Sequence, residues 1–124
     1  MQNSDDIRRE LVSILPPFDD VLRSAASVFA DAVSEYTVHG LFAELSHYVS
    51  ASFPSIGEAA RIRLFAFVER CVYGELGADG EVSNAACTCF LENVTNEAQS
   101  LRLRTYLGPH SRAYFDQWQG TDAA

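Results

Sequence analysis

A chain of 124 residues has room for one domain and is long enough to bury a core without disulfide or metal staples. With 48% hydrophobic and 21% charged residues, its composition is that of a globular protein and not of a disordered one. Seventeen acids against nine basic residues leave a net charge of −8, the wrong sign for a nucleic-acid or anionic-membrane binder, whose affinity rests on cations meeting phosphate.

Apolar residues recur at helical spacing almost throughout. Ile7, Leu11, Ile14 and Leu15 make the first stripe, behind a Ser4 N-cap with Asp5 and Asp6 in the favourable first turn. Pro16-Pro17 ends that helix, because proline donates no N–H and disfavours a helical residue before it. Phe18, Val21, Leu22, Ala25, Val28, Phe29, Ala32 and Val33 form the second and cleanest stripe. Asp20, Arg23, Ser24, Ser27, Asp31 and Ser34 lie opposite. The third helix begins near Thr37 and runs through Leu41, Phe42, Leu45, Tyr48 and Val49 until Phe53-Pro54-Ser55 breaks it.

From Gly57 to Leu76 the fourth helix is apolar over most of its circumference: Ile62, Leu64, Phe65, Phe67, Val68, Cys71, Val72, Tyr73 and Leu76. Such a helix is expected at the centre of the fold, the most buried of the set. Gly77-Ala78-Asp79-Gly80 reads as a turn. The fifth helix opens near Glu81 and buries Val82, Ala85, Ala86, Cys89, Phe90 and Val94 beneath a polar stripe of Glu81, Asn84, Thr88, Glu92 and Thr95. A short segment from Leu101 to Leu107 stops at Gly108-Pro109, and a last turn or two carries Tyr114, Phe115 and Trp118. Residues 1–3 and 120–124 are expected to fray. No stretch alternates as a half-buried strand must. The prediction is an all-α single domain over 1–124, a compact bundle of about five antiparallel helices plus a short C-terminal helical turn.

Every basic residue is Arg, which favours fixed pairs over mobile ammoniums. Cys71, Cys87 and Cys89 are odd in number and sit in apolar stretches, as small buried hydrophobes in a reducing compartment do. The polar, acidic N-terminus is unlike a signal peptide, and no apolar run approaches the ~20 residues of a membrane span. The expected location is the cytoplasm.

Few residues suggest chemistry. Glu44 and His47 form an E-x-x-H pair on one helix face, but a di-iron bundle needs a second such pair. His39 is the nearest further candidate ligand. On an α-helix the thiols of Cys87 and Cys89 point about 200° apart, which serves neither a redox pair nor a metal clamp. No glycine loop cradles phosphate. No catalytic residue, metal or cofactor is therefore expected. The charge pattern says more: from Glu75 to Gln99 there are five acids and no basic residue.

Three segments carry a family likeness: Leu64-Phe65-Ala66-Phe67-Val68-Glu69, the run from Asn84 to Asn93, and Leu107-Gly108-Pro109-His110-Ser111-Arg112-Ala113-Tyr114 followed by Trp118. Together, over roughly Leu41 to Trp118, the set resembles a family of small, all-helical bacterial proteins of uncharacterised function. Its relatives are similar to immunity proteins encoded beside secreted antibacterial toxins. The resemblance implies no cofactor and no catalytic residue.

The expected function is an immunity-type protein, not an enzyme, that neutralises a cognate toxin by direct protein contact. Asp79, Glu81, Asn84, Thr88, Glu92 and Glu97 are the expected contact residues. Glu69 and Arg112 are expected to form a carboxylate–guanidinium cluster that fixes helix register, with Phe65 and Phe90 in the core beside it; Glu92 could also accept from Arg112, but its place on the polar stripe favours the surface. Gly108 and Pro109 supply the break that turns the C-terminal segment back. Two rival readings are a metal or enzyme site around Glu44, His47 and His39, and a self-associating scaffold with an exposed aromatic patch at Tyr114, Phe115 and Trp118.

Overall fold

The apolar spacing does resolve into helices. A computed structural model describes residues 4–29, 37–73, 80–94 and 100–123, with all side chains except those of residues 4, 24–29, 81, 100 and 118–123. Among the described residues there is no strand. α1 (Ser4–Ile14) stops before Pro16, and α2 (Pro17–Phe29) starts on the second proline, whose missing N–H costs nothing at a helix start. Arg8 and Arg23 both reach Asp19, which ties the two helices together. Phe18 and Leu22 of the second stripe are buried; Ala32 and Val33 lie outside the described residues.

α3 (Val38–Ser52) is capped by Thr37, whose Oγ1 accepts from Gly40 N–H at 2.9 Å. A 3₁₀ turn (Phe53–Ser55) ends it, and α4 (Glu58–Tyr73) follows. Seven residues of α3 are buried against five of α4, so α4 is not the most enclosed helix and α3 is more enclosed than it. The reason lies in what covers each. α3 packs against α1, α2 and the helix that follows α4, whereas α4 keeps one face in solvent, with Ile62 55% and Tyr73 63% exposed. The Phe65–Val68 face of α4 is buried as expected.

α5 has three parts: α-helical Glu81–Ala85, π-helical Ala86–Leu91 and α-helical Glu92–Val94. Gly80 precedes it at φ 82°, a left-handed conformation that favours glycine. The π turn has a cause legible in the pattern. Nine residues after Val82, Leu91 would stand about 180° round an ideal α-helix, among Asn84 and Thr88 on the polar stripe. Widening the turn to i→i+5 bonds swings Leu91 back, and it is fully buried beside Phe90.

α6 (Ser100–Arg104) leads through Gly108 to α7 (Pro109–Ala123). The C-terminal segment is thus a 15-residue helix and not a turn or two. It packs chiefly on α4, and its start is stabilised from outside itself. Arg104 holds Asp116 by two 2.8 Å bonds, joining α6 to α7. No described helix is long and apolar enough to cross a membrane.

Candidate functional site

Two side-chain clusters join residues far apart in sequence. The first is a clasp between α4 and α7. A helix start leaves backbone N–H groups without partners, and nothing in Gly108-Pro109 supplies a local cap. Glu69 does so from α4. Its Oε2 accepts from His110 N–H at 3.0 Å and lies 2.6 Å from His110 Nδ1. Its Oε1 accepts from Ser111 N–H and from Ser111 Oγ, both at 2.9 Å. A carboxylate here also meets the positive end of the α7 dipole. The approach is so close that a Cβ on Gly108 would stand 2.6 Å from the Glu69 carboxyl carbon. Tyr73 closes the outer side, its ring 4.7 Å from that of His110.

Burial alone pushes the Glu69 carboxyl up, but the Ser111 and His110 bonds together outweigh it and hold the pKa below its ordinary 4.5. A depressed carboxylate contributes stability above its unfolded pKa and loses it as pH falls through the folded one. Urea stability should therefore begin to decline below pH 4.5, and Glu69→Gln should decline less steeply over that window. Asp116, held low by Arg104, accounts for part of the decline that remains. Equal slopes in the two proteins would show that the clasp does not titrate.

The second cluster lies between α3 and the π turn. Cys89 Sγ is 3.2 Å from His39 Nδ1 and 3.6 Å from Thr88 Oγ1. Both His39 and Cys89 are half-buried. The Asn93 side chain donates to the Cys89 carbonyl at 2.7 Å and lies 3.4 Å from Ser46 Oγ, binding the end of the π turn to α3. The other thiols differ. Cys71 is enclosed, and burial pushes it up to about 12, with Arg70 lowering and Glu10 raising it slightly. Cys87 is pushed up by burial alone.

A family model described as a domain of unknown function, DUF7674, matches residues 8–121, from α1 into α7 and across both clusters. The chain belongs to that family. No curated protein and no solved structure gives a match.

Within this DUF7674 domain the expected contact residues separate. Asp79 and Glu97 lie outside the described residues, as does the side chain of Glu81. Asn84 and Thr88 are exposed one turn apart, the Thr88 hydroxyl donating to the Asn84 carbonyl at 2.8 Å. Glu92 is half-buried, 3.4 Å from the Tyr114 hydroxyl, which places it in the fold more than on its surface.

The expected Glu69–Arg112 pairing does not form. Arg112 turns back to donate to the Leu107 carbonyl, and Glu69 serves the helix start in its place. Phe65 and Phe90 do pack together, ring centroids 6.2 Å apart, and Gly108 and Pro109 do make the break.

Glu44 is 7% exposed with Oε2 unpartnered, while His47 is exposed. His39 goes to Cys89. Among the described residues no three His, Cys, Asp or Glu gather as a metal-holding group. Of the three C-terminal aromatics, Phe115 is fully buried and Tyr114 half-buried, and the Trp118 side chain lies outside the description.

Exposed apolar surface occurs on α4 instead. Ile62 and Tyr73 are eleven residues apart, about three turns, so both stand on one face with Ala66 between them. Beside them runs a groove of about 670 Å³, with Phe65 and Tyr106 among its lining and Glu58 and Glu69 on α4. Sequence reasoning missed this face because it counted Ile62 and Tyr73 as core.

Proposed function

We propose that the protein is an immunity-type binder that neutralises a basic secreted toxin through its acidic stretch from Glu75 to Gln99. The observation that supports the reading is where the arginines go. Arg8, Arg9, Arg23 and Arg104 pair with Asp19, Asp6, Asp19 and Asp116. Arg61 lies over Phe53 and bonds Tyr106 and the Phe53 carbonyl; Arg102 lies over Phe53; Arg112 caps Leu107. These seven of the nine arginines have partners outside the stretch, Arg63 and Arg70 are exposed on α4, and the five acids of the stretch have no arginine among them in the sequence. A carboxylate-rich surface fits the basic cleft of a toxin that cuts nucleic acid, and complementary charge speeds capture.

The test is co-expression with the toxin encoded beside this chain. The native protein should protect, and Asp79→Arg with Glu81→Arg should not, although its stability to urea should move by only about half a kcal/mol per site. The native on-rate should fall as salt shortens the Debye length below about 10 Å. Full protection by the reversed protein at equal abundance would discard the acidic surface and direct attention to the Ile62–Tyr73 face of α4. A neighbouring gene product without toxicity would discard the immunity reading itself.

A further inference from the structure

We propose that Cys89 is a nucleophilic thiol served by His39 as its base, and that it is a site of oxidation by peroxide. No protein partner is needed, so the proposal stands apart from the reading above.

The geometry separates Cys89 from the other two cysteines. Its sulfur lies 3.2 Å from an imidazole nitrogen and the residue is half-buried, whereas Cys71 is 0% exposed. Cys87 is the informative comparison. It shares the π turn and the half-buried setting, yet it has no histidine. Two residues further on, Cys89 faces α3, where His39 stands on the first turn. No other hydrogen bond to the His39 ring occurs among the described residues, so the imidazole is committed to the sulfur. The hydroxyl of Thr88 lies 3.6 Å from the sulfur but donates its proton to the Asn84 carbonyl, which leaves the imidazole as the group that can take the thiol proton. Helical turns of π type recur at functional sites because the extra residue redirects a side chain, and here one of the redirected residues is Cys89.

The step balances without a cofactor. His39 Nδ1 takes the thiol proton, and the sulfur attacks one oxygen of hydrogen peroxide. An S–O bond forms as the O–O bond breaks. The leaving hydroxide recovers the proton from the imidazolium and departs as water. The thiol is oxidised to a sulfenic acid, and one peroxide is reduced to water.

The experiment exposes the full chain to hydrogen peroxide with dimedone, which traps sulfenic acids, and follows each cysteine peptide by mass spectrometry. Cys89 should be tagged at least about tenfold faster than Cys87, and His39→Gln should remove that advantage while leaving the Cys87 rate unchanged. Far-UV circular dichroism shows whether His39→Gln is folded. A second measurement needs no variant: competitive alkylation of the native chain by iodoacetamide, repeated in urea. Cys89 should lead in the folded protein and lose its lead on unfolding. Equal native rates at Cys89 and Cys87, or a folded His39→Gln that keeps the full Cys89 rate, would overturn the proposal.

Discussion

Phe90→Ala is expected to destabilise the protein by about 3–5 kcal/mol, the cost of removing a fully buried ring from a packed core. Phe90 lies in the π turn, packs on Phe65 of α4, and belongs to a segment whose most extensive packing is with α3. Its loss leaves a cavity where three helices meet. For a domain whose total stability is about 5–15 kcal/mol this is a large fraction. Urea titration should show a lower midpoint with an unchanged slope. A loss below about 1 kcal/mol would mean that the surrounding helices collapse to fill the space, which close packing of this kind does not allow.

Gly108→Ala should have the next largest effect, about 2–3 kcal/mol, for a different reason. Its φ is not in the left-handed region, so the cost is not conformational; the added methyl meets the Glu69 carboxylate at 2.6 Å. That carboxylate cannot swing aside without surrendering its four bonds to His110 and Ser111. The two sites are therefore coupled, and a double-mutant cycle measures it. In a Glu69→Ala background the further cost of Gly108→Ala should shrink to well under half. Additive losses would show that the methyl collides with backbone, not with the clasp.

What could be read from sequence was local. The Thr37 start of α3, the Pro16-Pro17 and Phe53-Pro54 breaks and the buried Phe65 and Phe90 all follow from neighbours within a turn or two. The clasp and the thiol pair do not, since Glu69 and Ser111 are 42 residues apart, and His39 and Cys89 are 50. Periodicity says which residues need cover but not whether cover arrives. Ile62 and Tyr73 satisfy the apolar pattern of α4 and still end in solvent, because the packed neighbours leave that side of the helix open. The length of α7 escaped for a related reason: its apolar content is sparse after Phe115, and the start signal is a carboxylate on another helix. One missed feature did leave a trace. Leu91 falls on the polar stripe of an ideal α5, and that misfit is the signature of the π turn that removes it.

The clasp also bears on the order in which the protein is made. Synthesis is vectorial, at about 5–20 residues per second, so α4 is made before residues 108–111 exist. Until they emerge, Glu69 has none of the four donors it ends with, and the fully buried Phe115 is missing from the core. The nascent chain thus cannot reach its final state piece by piece from the N-terminus. A transcript broken before the codon for Gly108 yields a product with an unpaired carboxylate beside an incomplete core. Lacking the residues that complete the intact protein, such a product is exposed to proteolysis.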